Sequence, residues 1–377
     1  MNQKIKHIAL ILFAALLFLP VLIQPLGFVK IKGLKGYFVT PGDSSLNVNY
    51  WTKGIYQPAK EENCKYKLKV RPLLVRVYNE VRFLLYGDIS ARNVALGRNG
   101  YYYEKHYINA WLGNDFIGED TIVKKLNAYK TLLDTLNQHG IQMLFVLAPG
   151  KVTVYPEYIP VEFESHKKRT TNYEIFKREL ASLNIPHIDF NNYFKEIKDT
   201  VNFPIYPKGG THWSVYGSCI AFDTIIRYIE YLTKKDLPDY TYTAFDVTKK
   251  ARSSDDDIAR ATNRIWIRKE EKLLYPYLEV TDSSGKTKPD LLTIADSYYW
   301  TIVGTGFLKY FFTDFNFWYY FKENHTQNPD EPKMVNGYQD LKKEIEKRDI
   351  VLFIITDGNL NEFSWGFVNT VLSLYVN

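Results

Sequence analysis

The chain has few of the residues that build disulfide frameworks or metal sites. Its 377 residues include two cysteines, Cys64 and Cys219, and no CxxC pair or cysteine–histidine cluster. A zinc site is therefore not expected, and no motif in the sequence requires a metal or an organic cofactor. Two cysteines leave two interpretations open: one disulfide outside the cytosol, or two free thiols.

The sequence also lacks a large excess of one charge. It has 48 lysines and arginines against 42 aspartates and glutamates, a formal net charge of +6. Nucleic-acid-binding proteins usually carry a basic face or stripe, so we expect no nucleic-acid partner. Aromatic residues make up 16% of the chain, including 30 tyrosines. Most of these are expected to pack, and some could stack against sugars.

One long apolar segment lies near the N-terminus. Lys4 and Lys6 precede an uncharged run at residues 8–28, whose length matches the hydrocarbon thickness of a bilayer. The two lysines predict a cytoplasmic tip at residues 1–7 and a chain that continues on the other side. We therefore predict a single-pass anchor in the cytoplasmic membrane, with the main domain in the periplasm or outside. A cleaved signal peptide is the alternative interpretation.

Helical patterns alternate with short apolar runs from about residue 91 to the C-terminus. Residues 29–90, which precede this region, predict a membrane-proximal segment with a helix at 70–88. At the start of the region, an Asn-Gly turn within 93–106 predicts a hairpin. The alternation predicts an α/β domain, residues 91–377, with an open parallel sheet flanked by helices. The predicted buried strands are 141–149, 185–190, 289–297 and 350–357.

A polar insertion at about residues 233–289 interrupts this alternation. We interpret it as a solvated excursion, with a cover over the functional site as the alternative. Within it, the acidic run SSDDDIA at 253–259 is interpreted as a solvated loop or a helix cap rather than a metal site.

Polar residues follow three of the predicted strands. Ser297 ends the strand at 289–297, Lys151 follows an earlier strand, and Asp357 ends the last one. Functional groups of open α/β sheets collect at the carboxyl ends of strands. His212 lies at the start of a helix that we expect to pack on the same sheet, so these residues are candidates for one site.

The pairing of Ser297 with His212 has a chemical reason. A serine hydroxyl is a weak nucleophile and needs an imidazole within hydrogen-bond reach to take its proton. We therefore predict His212 as the base, with the backbone N–H groups of Ser297 and a neighbouring residue as oxyanion donors. Trp213 and Tyr298 are expected either to pack in the core or to line the substrate pocket. Asp296 is expected to make a turn hydrogen bond rather than act as a base, and Asp296 and Lys151 are further candidates for the substrate-binding or oxyanion side of the site.

Four segments in order resemble the AlgJ/AlgX family of SGNH-hydrolase-like polysaccharide O-acetyltransferases. They are "ALGRNGYYYEKH", "VLAPGKVTVYPEYIP", "GTHWSVYG" and "ADSYYW". Carried over residue by residue, the resemblance implies that Ser297 carries the acetyl group and His212 is the general base. It gives Lys151 a structural or electrostatic role and requires no cofactor.

The resemblance also implies what the protein acts on. The expected acceptor is a cell-envelope or secreted polysaccharide, and the expected acetyl donor is supplied by a membrane-bound O-acyltransferase. An acetyl esterase and a non-catalytic polysaccharide-binding subunit are the alternatives.

Two positions depart from the family pattern. The family's D-x-H-W motif has an aspartate where this chain has Gly210, and its G-D-S motif has a glycine where this chain has Ala295. The missing carboxylate normally orients the imidazole and stabilises its charged form. Three explanations are open: another carboxylate or a carbonyl orients His212, with Asp189 and Asp357 as candidates; a serine–histidine dyad works alone; or catalysis has been lost.

Overall fold

The structure is a computed structural model that describes residues 3–23, 31–36, 45–166, 168–267, 271–326, 333–337 and 340–375. Its Cα positions divide the chain into two units. One comprises Met1–Arg92 with Ala259–Ile267, and the other comprises Asn93–Ile258 with Arg268–Asn377. The domain boundaries that the sequence predicts stay predictions.

The first unit contains four helices among its described residues: α1 (Gln3–Ile23), α2 (Val48–Thr52), α3 (Tyr56–Lys67) and α4 (Arg71–Tyr86). The predicted helix at 70–88 is confirmed by α4, which ends where Gly87 adopts a left-handed conformation.

The membrane anchor predicted for residues 8–28 is not supported. Its first part lies in α1, and residues 24–28 lie outside the described residues. Among the helices that the structure describes, none combines the length and the apolar character needed to cross a bilayer.

The second unit begins with the predicted hairpin, formed by β1 (Val94–Leu96) and β2 (Tyr102–Glu104). Its central sheet has seven strands among the described residues. In spatial order they are β10 (Lys333–Met334), β9 (Glu323–His325), β8 (Phe315–Tyr319), β7 (Leu291–Ala295), β11 (Ile350–Thr356), β3 (Gln142–Ala148) and β4 (His187–Asp189).

The sheet is mixed rather than wholly parallel, which corrects the prediction. Strands β4, β3, β11, β7 and β8 run parallel, whereas β9 and β10 are antiparallel. A short turn joins β8 to β9, and only antiparallel strands can be joined so directly. The four predicted strands correspond to β3, β4, β7 and β11.

Both faces of the sheet are covered, which explains the continuous apolar runs. Along β3, Leu144 and Val146 belong to one core cluster, and Phe145 and Leu147 to the other. The remaining helices of the described chain are α5 (Lys105–Leu112), α6 (Glu119–Gln138), α7 (Lys151–Val154), α8 (Val161–Glu164), α9 (Asn172–Ser182), α10 (Phe190–Ile197), α11 (Val215–Thr233), α12 (Asp257–Ala261), α13 (Tyr299–Thr305), α14 (Leu308–Phe311), α15 (Leu341–Glu346) and α16 (Phe367–Leu372).

The insertion forms a two-stranded antiparallel ribbon, β5 (Asp239–Thr248) and β6 (Leu273–Asp282). It packs on α11, where the Tyr240 and Tyr242 hydroxyls donate to the Asp223 carboxylate at 2.6 and 2.9 Å. The predicted solvated excursion is therefore partly wrong, because this ribbon is fastened to the core. Cys64 is exposed and Cys219 is buried, and both are free thiols.

Candidate active site

The turn after β7 presents Ser297 and is held by its neighbour Asp296. The Asp296 side chain is fully buried. One of its oxygens accepts from Tyr298 N at 3.0 Å, and the other accepts from Thr356 N at 2.8 Å and Asn359 Nδ2 at 2.9 Å. Asp296 therefore ties the nucleophile turn to the end of β11 and leaves Ser297 partly exposed.

His212 lies against this turn with its ring aimed at the serine. Its Nε2 is 2.9 Å from Ser297 Oγ. Below the ring, the Tyr298 hydroxyl donates to Thr211 O at 3.0 Å, and Trp213 Nε1 donates to Tyr298 O at 3.1 Å. Trp213 and Tyr298 are both fully buried, so they hold the two loops together rather than line a pocket.

Asp257 completes the hydrogen-bonded series. Its Oδ2 is 3.0 Å from His212 Nδ1, and its Oδ1 accepts from Thr211 N at 2.9 Å and Ile258 N at 2.7 Å. Burial favours a higher pKa for Asp257, but the hydrogen bonds and the charge of His212 outweigh it and lower the pKa. An ionised carboxylate fixes the tautomer with the proton on Nδ1, which leaves Nε2 to accept the serine proton.

The two carboxylates predicted to replace the missing aspartate lie elsewhere. Asp189 caps α10 by accepting from Asn191 N at 2.9 Å. Asp357 accepts from Gly150 N at 2.9 Å and from the Thr153 hydroxyl, and burial raises its pKa to about 6. These two candidates are wrong, because each carboxylate is already committed to a strand or helix end, but the expectation that another carboxylate orients His212 is met by Asp257.

The acidic run at 253–259 is likewise not a simple solvated loop. Asp257 does begin α12, but its carboxylate goes to His212. Asp255 is buried, and its Oδ2 accepts from the Tyr275 hydroxyl on β6 at 2.8 Å. Sequence reasoning missed Asp257 because three consecutive aspartates give no local sign of which one turns inward.

Gly210 occupies the position where the aspartate was expected, and the space beside it is filled. A Cβ on Gly210 would lie 2.6 Å from Ser254 O and 3.0 Å from the carbonyl carbon of Asp255. The segment that delivers Asp257 therefore passes where a side chain at 210 would stand.

Lys151 is buried. Its Nζ donates to Tyr102 O at 2.9 Å and to Lys208 O at 3.1 Å. Burial lowers its pKa to about 7. Lys151 thus joins the hairpin to the segment that precedes His212.

Tyr320 is a site residue that the sequence analysis missed. Its hydroxyl lies near the Ser297 side chain, and its backbone N–H donates to Ala295 O at 3.0 Å. Its φ of 50° places it in the left-handed region, which is unusual for a tyrosine and is seen at functional sites. Strand β8 was not predicted, so the carboxyl end that carries Tyr320 was not recognised, although "FNFWYY" shows an aromatic pattern typical of strands.

One of the two predicted backbone oxyanion donors is already used. The Tyr298 N–H is donated to Asp296 at 3.0 Å, so it is not the neighbouring N–H that would serve as an oxyanion donor. Elsewhere in the described chain, no group of three histidine, cysteine or acidic side chains is placed to hold a metal ion. The arrangement is that of a serine nucleophile with a base and an orienting carboxylate.

Comparison with known proteins places this site in a family. The sequence profile described as "SGNH hydrolase-like domain, acetyltransferase AlgX" matches residues 94–328, more than half of the chain. This span contains His212, Asp257, Ser297 and Tyr320. No curated protein matches the chain by sequence.

Several solved structures resemble the fold. The O-acetyltransferase domain of Pseudomonas putida AlgJ is 16% identical, with 74% of this chain and 99% of that chain covered and a TM-score of 0.48. Pseudomonas aeruginosa AlgX is 13% identical over 73% and 66% of the two chains, with a TM-score of 0.46. Bacillus cereus PatB1 with a sulfonyl adduct is 15% identical over 73% and 99%, also with a TM-score of 0.46.

Proposed function

The chain belongs to the AlgX acetyltransferase family with its SGNH hydrolase-like domain, and we propose that it transfers acetyl groups to hydroxyls of a cell-envelope or secreted polysaccharide. The observation that carries the proposal is the hydrogen-bonded series Asp257–His212–Ser297. A serine within hydrogen-bond reach of an imidazole that is oriented by an ionised carboxylate is suited to acyl transfer through a covalent intermediate.

In the first half-reaction, His212 Nε2 removes the proton from Ser297 Oγ. The oxygen attacks the carbonyl carbon of an acetyl ester or thioester, and a new C–O bond forms. The tetrahedral intermediate collapses, the donor's alcohol or thiol leaves with the proton from His212, and Ser297 is acetylated. The charge that His212 gains in between is stabilised by the Asp257 carboxylate at 3.0 Å.

In the second half-reaction, a sugar hydroxyl takes the place of the departed donor. His212 Nε2 removes its proton, and the sugar oxygen attacks the acetyl-serine carbonyl. Ser297 Oγ leaves and regains its proton from His212, which returns the site to its starting state. The same base thus serves both steps.

Each tetrahedral intermediate carries an oxyanion that needs donors. We assign this role to the Ser297 N–H and the Tyr320 hydroxyl, which lies near the Ser297 side chain. Burial raises the pKa of Tyr320 above its ordinary value, so its hydroxyl keeps its proton at neutral pH and can donate.

The partners and the location are part of the same proposal. The acceptor is a polysaccharide, the donor acetyl group comes from a membrane-bound O-acyltransferase, and the site works outside the cytoplasmic membrane. Among the residues described here, Lys151, Trp213 and Asp296 support the site from within the core, where each makes hydrogen bonds to the loops that carry His212 or Ser297.

The proposal is tested with a chromogenic acetyl ester and the full chain. Wild type should release the chromophore and gain one acetyl mass on Ser297, whereas Ser297→Ala and His212→Ala should do neither. Adding an oligosaccharide should move the acetyl group to the sugar. A wild-type rate equal to that of both variants, with no acetyl adduct, would rule out the acetyl-serine mechanism.

An acetyl esterase is the second candidate, because Ser297 and His212 are both partly exposed and water can approach them. The oligosaccharide experiment separates the two. Acetate released at an unchanged rate with no acetylated sugar would indicate hydrolysis. The alternative of a non-catalytic binding subunit was based on the absence of an orienting carboxylate at position 210. Asp257 lies 3.0 Å from His212 Nδ1 and can take that role, so Gly210 no longer favours this alternative.

A further inference from the structure

Helix α4 has its polar side turned inward and its apolar side turned to solvent. Its buried residues are Asn79 and Glu80. Its exposed apolar and aromatic residues, between 42% and 75% accessible, recur at helical spacing: Leu73, Leu74, Val77, Tyr78, Val81, Leu84, Leu85 and Tyr86. A helix on a water-soluble surface has the opposite arrangement.

The inward side is fixed by specific bonds. Asn79 Nδ2 donates to Thr262 O at 2.8 Å. Glu80 pairs with Arg264 at 2.8 Å and accepts from Ile265 N at 2.8 Å. Burial favours a higher pKa for Glu80, but these bonds outweigh it and lower the pKa, so the carboxylate stays charged. Turning the helix over would break this buried network, which is costly.

The apolar surface continues beyond α4. Ile265 and Trp266, which follow the residues bonded to Asn79, are 42% and 67% exposed. Trp266 N also donates to Glu80 at 3.2 Å, so both side chains are held beside the helix. Tryptophan and tyrosine at the edge of an apolar face are typical of a membrane–water interface. We call α4 with Ile265 and Trp266 the α4 face.

Positive charge is concentrated in the same part of the chain. Residues 1–92 hold 14 lysines and arginines and five acidic residues, whereas the whole chain holds 48 and 42. Four of these cations, Lys65, Lys67, Lys69 and Arg71, lead directly into α4 with no acidic residue between them. This excess favours an anionic partner.

We propose that the α4 face docks on the surface of a membrane that contains anionic phospholipids. Apolar side chains would enter the headgroup–acyl boundary while the flanking cations contact lipid phosphates. A second copy of the chain is a poorer occupant, because two faces that each lie beside the same positive excess would repel. The interaction is separate from any made by α1 and independent of the acetyl-transfer proposal.

The experiment reports the environment of one residue on the α4 face in the full chain. Leu84→Cys is made in a Cys64→Ser background and labelled with an environment-sensitive fluorophore, because Cys219 is buried. Leu84 is 67% exposed, so the label does not disturb the core. The matched control is Lys124→Cys, an exposed position on α6. Each protein is mixed with phosphatidylcholine vesicles with or without phosphatidylglycerol.

Docking predicts that the emission of the label at position 84 shifts to shorter wavelength with the anionic vesicles and shifts less with neutral ones. The emission of the label at position 124 should not shift with either kind of vesicle. Leu84→Cys combined with Val77→Gln and Val81→Gln should lose most of the shift. The proposal is overturned if the Leu84 label stays in water while the chain floats with the vesicles, or if the chain does not bind them. A shift that needs no vesicles and grows with protein concentration would instead identify a second copy as the occupant.

Discussion

The backbone of Ser254 lies beside Gly210, in the space that a side chain at position 210 would need. A Cβ at 210 would stand 2.6 Å from Ser254 O, a distance that side-chain carbons do not tolerate without movement. Three residues after Ser254, Asp257 reaches His212. The glycine and the distant carboxylate are therefore one arrangement, because the bare backbone at 210 lets the insertion come close enough to deliver Asp257.

Restoring the expected aspartate should harm the enzyme. Gly210→Asp would push the backbone at 254–255 outward and draw Asp257 away from the imidazole. We expect kcat/KM for an acetyl ester to fall about 100-fold or more, since carboxylate loss in serine-protease triads costs about 10⁴-fold. Gly304→Ala is the control, because a Cβ there meets nothing closer than 3.7 Å. Wild-type activity in the double variant Gly210→Asp/Asp257→Asn would show that position 210 can reach His212 after all.

Removing the charge of Asp257 should slow the chemistry without unfolding the chain. Asp257→Asn retains the shape of the side chain but favours the wrong imidazole tautomer, so kcat is expected to fall by about 10³–10⁴-fold. The comparison is Asp189→Asn, which removes a carboxylate that caps α10 and does not touch His212. Equal activities in these two variants would assign the orienting role to neither.

Tyr320→Phe tests the oxyanion assignment. Loss of one oxyanion donor typically lowers kcat by about 10²–10³-fold, and KM should change little because the hydroxyl acts on the intermediate. Tyr310→Phe serves as the control, since that ring lies on α14 beside Lys309. A rise in KM at constant kcat would place the hydroxyl in ground-state binding instead.

The buried Asp255 should make stability fall as the pH rises. Burial raises its pKa to about 7, above the value of about 3.9 in an unfolded chain. The contribution of protonated Asp255 to the free energy of unfolding is therefore fully present below about pH 4 and is lost as the pH rises through about 7. Between those limits, urea unfolding should show Asp255→Asn gaining up to about 4 kcal/mol relative to wild type. Asp282→Asn, at an exposed site on β6, reports the general effect of removing one negative charge.

The sequence predicts the parts of this fold that depend on local patterns. Continuous apolar runs identify β3, β4, β7 and β11, and polar residues at their carboxyl ends point to Ser297 and its partner His212. The edge strands β9 and β10 are two or three residues long, too short to leave a pattern. The role of Asp257 depends on tertiary packing, because it lies 45 residues along the chain from His212, the base it orients. In the sequence itself, only the glycine at position 210 points to a carboxylate that comes from elsewhere in the chain.

Because Asp257 lies within the insertion, the catalytic activity and the central sheet are expected to differ in their resistance to unfolding. Ser297 is anchored through Asp296 to the end of β11, in the most buried part of the sheet. Asp257 instead depends on a ribbon of two strands that can open locally while the sheet stays closed. Heat or a protease that opens the ribbon would therefore first break the hydrogen bond between Asp257 and His212. Activity would be lost while most amide protons of the central sheet still resisted exchange.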